Sequence, residues 1–230
     1  MNVIARTAVD RVDTGANLGA TVHYRQGDSD EDRTAYGEVV LAAIGRVPNT
    51  DADWFRSSGL KLDERGYVTV DGYGRTNLDG VWALGDITPG HALAHRAFEQ
   101  GITIAEKIAG ADPKPVLDDT VPQVVFSFPE AASVGLTLDQ AKAREDVVEP
   151  KETAYPMLSN ARMLMSGEGG SMTVVSGAFA NNPDMQVVLG VHIVSPIASD
   201  LIAEAEQLVG NRVPLADAAR LIHPHPTFSE

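Results

Sequence analysis

The apolar pattern of the chain changes at Pro113 and Pro115, and this change restricts it to two kinds of architecture in series. Before the prolines, Val39-Val40-Leu41-Ala42-Ala43-Ile44 is a continuous apolar run, as in a strand covered on both faces, stopped by Gly45 and Pro48. Val81-Trp82-Ala83-Leu84 is a second such run, ending at Gly85-Asp86. Ala20 to Tyr24 alternates like a half-buried strand, and Leu60 to Val70 holds two short apolar stretches around the turn Asp63-Glu64-Arg65-Gly66. Leu93, Ala97, Gly101, Ile104, Ala105 and Ile108 recur at helical spacing between residues 92 and 109. After the prolines, Val121 to Phe128 reads as a strand, and Thr137-x-x-Gln140 is a capping box opening a short helix. Thr173-Val174-Val175 and Val187 to Val194 read as paired strands, and Ile197, Leu201, Ile202, Ala205 and Leu208 line one face of a further helix. Buried strands with a helix predict α/β structure first, and strands and helices without strict alternation predict an α+β domain from about residue 119.

Bulk properties exclude several functions. At 230 residues and 43% hydrophobic, the chain has enough apolar mass for one large or two smaller domains. It has no apolar run approaching the roughly 20 residues of a transmembrane helix, and Met1 to Arg6 lacks signal-peptide character. A net charge of −14 repels polyphosphate and argues against nucleic-acid binding, while Gly27 to Asp32 is a solvated acidic loop. Cysteine is absent, which removes structural disulfides, thiolate metal sites and thiol nucleophiles and fits a cytoplasmic setting.

Two stretches carry chemistry. In Thr76-Asn77-Leu78-Asp79-Gly80-Val81-Trp82-Ala83-Leu84-Gly85-Asp86, a strand delivers Gly-Asp at its C-terminal end, where α/β sheets bind ligands. Glycine admits close approach to the backbone, and a carboxylate accepts hydrogen bonds from sugar or polyol hydroxyls. On these residues alone an ordinary strand and turn is the simpler reading. The second stretch is His223-Pro224-His225-Pro226-Thr227-Phe228-Ser229-Glu230, where two prolines restrict the backbone that aims the imidazoles. Glu230, five residues after His225 and across a turn, can bind one ring nitrogen and leave the other for general-base work. A metal site or a proline-rich terminus fits the composition equally well.

Thr76 to Asp86, followed by Leu93-Ala94-His95-Arg96-Ala97 and Gly101, resembles the second flavin-binding motif of the pyridine nucleotide-disulfide oxidoreductases. The resemblance implies that Asp86 meets the ribityl chain of FAD. It also implies that Ala94, flanked by Leu93 and His95, lies against the flavin at a helix N-terminus whose dipole favours electron density there. Gly45-Arg46-Val47-Pro48-Asn49, about 40 residues before Gly85-Asp86, resembles the segment closing the family's NAD domain, with Gly45 beside the dinucleotide. Pro122 to Thr137, then Leu189 to Val194 and Ala198 to Ile202, resemble the family's dimerisation domain, where His192 is a packed core or interface residue. The C-terminal string resembles the His-x-His-Pro-Thr-x-x-Glu signature of the dihydrolipoamide dehydrogenase branch. Carried over by position, His225 is the acid/base, Glu230 orients it, His223 supports the loop, and no metal is bound.

The resemblance implies incomplete Rossmann-like portions followed by an α+β module. Residues 1–50 would close an NAD-binding domain, 51–118 an FAD-binding domain, and 119–230 would form the dimerisation domain. The expected cofactors are FAD and NAD. The expected partners are a second copy of the chain and a lipoyl-bearing protein of a 2-oxo acid dehydrogenase complex, with neither nucleic acid nor membrane. The family's Gly-x-Gly-x-x-Gly turns and Cys-x4-Cys redox disulfide do not occur, so the chain alone is expected to be inactive and to hold flavin weakly or not at all. Glutathione-, mycothione- and mercury-reducing members share most of this architecture; the doubled histidine favours the lipoamide branch. Met172 departs from relatives that carry lysine, a difference expected to concern surface packing. A non-catalytic dimerisation module is the alternative of a different class.

Overall fold

The computed structural model describes residues 2–15 and 19–230, so Met1 of the leading segment lies outside it. Two compact units divide between Val47 and Pro48.

In the first unit, β1 (Thr7–Thr14), β2 (Ala20–Gln26) and β3 (Arg33–Gly37) form an antiparallel sheet in the order β1-β2-β3. The strand expected at Ala20 to Tyr24 is present as β2, but its burial does not alternate: Ala20 and Tyr24 are buried and Thr21, Val22 and His23 are all half-buried. Val39 to Ile44 corrects the sequence reading: it forms no strand, and Ile44 is 94% exposed. A strand buried on both faces requires neighbouring strands and covering layers. Among the described residues, none pairs with this run.

The second unit opens with α1 (Asp53–Ser57), which delivers Phe55 into a small core with Val68 and Ala83, flanked by Leu60, Leu62, Val70 and Ile87. The turn expected at Asp63 closes through the Asp63 carboxylate, which accepts from the backbone N–H of Arg65 and Tyr67, each at 2.9 Å. Val81 to Leu84 is a second correction. Among the described residues its only ladder contact is the isolated bridge Arg75↔Trp82, and Val81 and Leu84 remain exposed around buried Ala83. The expected helix is present as α2 (Ala94–Ile108), although Ile108 points to solvent and the residues buried on it are Arg96, Thr103 and Ile104.

From Gln123 onward a five-stranded antiparallel sheet has the order β4-β5-β8-β7-β6. Its strands are β4 (Gln123–Val125), β5 (Glu130–Gly135), β6 (Val147–Pro156), β7 (Ser171–Phe179) and β8 (Asn182–Ser195). β4 is shorter than the expected Val121 to Phe128, and Phe126 and Phe128 project into solvent. The expected pairing of β7 with β8 is present in register Val174↔Val191. β8 occupies the middle of the sheet, which explains its near-continuous apolar run: Val191 and Ile193 enter one core, Val187 and Leu189 the other.

One face is covered by α5 (Ala198–Gly210), whose buried residues Ala198, Ile202, Ala205 and Val209 repeat at helical spacing. Burial of each large side chain there contributes about 1.5–3 kcal/mol. The Glu130 carboxylate accepts from the Ser199 backbone N–H at 2.8 Å, and this bond holds its pKa below the usual range. The other face is covered by α3 (Leu138–Ala143), which buries Ala141 beside Leu136 and Val147. α4 (Ala161–Ser166) and α6 (Leu215–Ala218) complete the unit.

The capping box is formed: Gln140 N–H donates to Thr137 Oγ1 at 3.3 Å, and Gln140 Oε1 accepts from Thr137 N–H at 2.9 Å. Thr137→Ala is expected to cost about 1 kcal/mol. The midpoint of urea unfolding measures this, and an unchanged midpoint would show that the cap does not stabilise α3. Met172 is half-buried on β7 and packs against the core with Tyr155 and Ile193 as strand neighbours, so its effect is not confined to the surface.

Candidate active site

The C-terminal segment brings His225 and Glu230 together. His225 Nδ1 lies 2.8 Å from Glu230 Oε2. The imidazole is 72% exposed and the carboxylate 22%, so one nitrogen is held while Nε2 faces outward with no protein partner among the described residues. Since a carboxylate only accepts, the pairing assigns the proton to Nδ1 and leaves Nε2 as the basic atom. The turn is closed by Thr227, whose hydroxyl donates to Pro224 O at 2.7 Å. Phe228 packs against the core between sheet and α5 and fixes the segment from below.

His223 is engaged elsewhere. Its Nε2 lies 2.6 Å from Glu204 Oε1 on α5, which ties the segment to that helix. His192 is also committed, with Nδ1 2.6 Å from Ser133 Oγ and Nε2 3.2 Å from Leu136 O. Two residues at this end escaped the sequence reading, Glu204 and Asn160. Asn160 ahead of Ala-Arg-Met has the pattern of a helix cap, but its partners near the C-terminus lie about seventy positions away, beyond any local signal.

Of the other expected site residues, Asp86, Leu93, Ala94 and His95 lie in the turn and helix start that open α2, and Gly45 belongs to the first unit. Gly85 has φ +72 in a 3-10 turn covering Gly85 to Ile87, and its N–H donates to Gln100 Oε1 at 2.9 Å. A side chain at Gly85 would press on Ala97, so the turn lies close against α2. Asp86 is exposed, and its carboxylate has no partner among the described residues. Ala94 and His95 are exposed and Leu93 is half-buried. Leu93 provides no side-chain cap, which leaves the first amides of α2 available to an acceptor. His95 Nε2 lies 2.7 Å from Pro122 O. Arg96, quoted in the sequence only as part of the motif and given no role there, has a 7% exposed side chain held by Asp118 at 2.7 Å and Pro89 O at 2.6 Å. Gly45, in the first unit, is exposed with φ +114 and open space where a side chain would stand.

These features suit a flavin and a dinucleotide in part: a free carboxylate for polyol hydroxyls, an uncapped helix start, and a glycine that admits close approach. Among the described residues no three His, Asp or Glu side chains converge as metal ligands.

Residues 1–101 match the pyridine nucleotide-disulphide oxidoreductase model, and residues 121–230 match the dimerisation domain of the same family. The chain belongs to the pyridine nucleotide-disulphide oxidoreductases. Within that family it is 40% identical over 224 residues to a dihydrolipoyl dehydrogenase of Cupriavidus necator, covering 96% of this chain and 45% of that protein. It is 38% identical over 231 residues to one of Geobacillus stearothermophilus, covering 100% of this chain and 46% of the relative. The crystal structure of LpdA from Mycobacterium tuberculosis superposes with a TM-score of 0.83 at 30% identity, covering 97% of this chain and 46% of that one. The chain therefore spans about half the length of the relatives it matches. Among the described residues, no helix is long and apolar enough to cross a membrane.

Proposed function

We propose that this oxidoreductase segment supplies the acid/base and part of the cofactor surface of a dihydrolipoyl dehydrogenase. Residues 1–50 close the NAD-binding domain, 51–118 belong to the FAD-binding domain, and 119–230 form the dimerisation domain of a cytoplasmic homodimer. The observation that carries this reading is the exposed His225 ring held through Nδ1 by Glu230 at 2.8 Å.

In the proposed reaction, His225 Nε2 takes a proton from one thiol of a dihydrolipoyl group borne by a 2-oxo acid dehydrogenase complex. The thiolate attacks a redox disulfide, which this cysteine-free chain does not contain, and the second lipoyl thiol completes the exchange, closing the lipoyl disulfide. Glu230 keeps the proton on Nδ1 and stabilises the imidazolium formed at His225. Asp86 would accept from the ribityl hydroxyls of FAD, the start of α2 at Leu93, Ala94 and His95 would border the flavin, and the backbone at Gly45 would let the NAD dinucleotide approach closely. When bound, FAD and NAD accept the electron pair and carry it away as hydride.

The test is to assay dithiol:NAD⁺ activity and flavin content in a full-length protein carrying this segment, with Asp86→Ala as the variant. The expected result is dihydrolipoyl-dependent NADH formation, with flavin lost more readily from the variant. Turnover of glutathione disulfide, mycothione or mercuric ion in place of dihydrolipoamide would reject the lipoyl assignment.

A further inference from the structure

We infer that Asn160 is the positioning residue for the His225–Glu230 pair, holding it through the backbone of the segment that carries both side chains. Asn160 is 3% exposed, and its carboxamide is used from both ends. Oδ1 accepts from Met163 N–H at 3.0 Å and caps α4. Nδ2 donates to Thr227 O at 2.9 Å and to Glu230 O at 3.0 Å. These main-chain oxygens lie on either side of the turn linking the imidazole to its carboxylate, so one amide group bridges the stretch that sets their separation.

The chemistry is specific to asparagine. An acceptor for the helix cap and two donors for the carbonyls must sit on one short side chain. Aspartate supplies the acceptor alone and would place a carboxylate against two carbonyl oxygens. Serine also caps but carries one hydroxyl and is shorter. Glutamine is one methylene too long to cap α4 in the same position. The clamp is mounted on a rigid base, because Met163 on α4 is fully buried in the core cluster. Phe228 packs against the same cluster. Without the clamp the segment therefore stays docked, while its backbone loses the constraint that aims Glu230 at Nδ1.

The experiment uses Asn160→Ser and Asn160→Asp in this chain, both of which keep a capping oxygen. It reads the His225 ring tautomer by ¹⁵N NMR at alkaline pH, with His225→Gln for assignment. The wild-type chain is expected to show the Nδ1–H form and both variants a shift toward the Nε2–H form of an unrestrained imidazole. Helix content and melting temperature are read on the same samples. An unchanged His225 tautomer in the folded variants overturns the inference. Failure of both variants to fold also overturns it, since Asn160 would then support the whole domain and not the pair.

The catalytic consequence rests on the proposed function and is read separately. In the full-length, flavin-loaded enzyme, Asn160→Ser should lower kcat with dihydrolipoamide roughly 10- to 100-fold, the cost of misplacing a catalytic group, with KM little changed. A shifted tautomer with unchanged kcat would keep the positioning role and reject His225 as the base. Loss of kcat with an unshifted tautomer would reject the positioning role.

Discussion

Replacing His225 with Gln is expected to lower dithiol-dependent turnover roughly 10²- to 10⁴-fold in the flavin-loaded, full-length enzyme, the usual contribution of a positioned general base. Glutamine fills a similar volume but cannot accept and release a thiol proton. Glu230→Gln is expected to cost less, because the imidazole remains and only its orientation and charge support are lost. His223→Gln should be milder than His225→Gln, since His223 is bound to Glu204 on α5 at 2.6 Å while the Nε2 of His225 has no partner among the described residues. NADH-driven reduction of an artificial electron acceptor needs no thiol proton and should survive all three changes largely intact. Kinetics of three variants with two acceptors decide the matter. A larger loss at His223, or parallel losses with both acceptors, would show that the assigned roles are wrong.

Local signals in the sequence foretold the parts of this molecule that local physics determines. Thr137 and Gln140 stand three residues apart because a capping box requires it, and the structure places both bonds there. The ladder of Ile197, Leu201, Ile202, Ala205 and Leu208, with Ile202 and Ala205 buried and the others half-buried against the same core, and the β7–β8 pair follow from periodicity, since one side of each faces a core present in the chain. The five-residue separation of His225 and Glu230 proved enough for a direct contact. Val39 to Ile44 was misread because an apolar run reports a preference for burial, and burial depends on partners that periodicity does not reveal. Val81 to Leu84 was misread for the same reason: among the described residues it finds one bridging partner, Arg75↔Trp82, and no strand beside it. Arg96 and Asn160 were invisible for a second reason. Charged and amide side chains are exposed by default, and only tertiary structure brings Asp118 and Pro89 to the first and two C-terminal carbonyls to the second.

The largest stability loss is expected from Gly190→Ala. Gly190 lies opposite Gly135 in the β5–β8 register, in the central strand of the sheet. Here β5 leaves the sheet: Gly135 has φ +80, and Leu136 N–H donates back to Leu189 O at 2.9 Å. The Leu136 backbone therefore crosses directly over Gly190, and a methyl group there would be driven into the Leu136 carbonyl oxygen, with Leu136 N at 2.8 Å. Both obstructing atoms are backbone, so no rotamer change relieves the clash. Either the β5–β8 seam opens or the capped start of α3 shifts. Overpacking of this kind costs about 3 kcal/mol or more. Gly80→Ala serves as the comparison: it has φ +72 but nothing within 4 Å of the added methyl, so only left-handed backbone strain of about 1–2 kcal/mol is expected. Urea unfolding of both variants measures the difference. Equal losses would mean that the crossing of Leu136 over β8 costs no more than ordinary left-handed strain, and that the seam yields to an added methyl group.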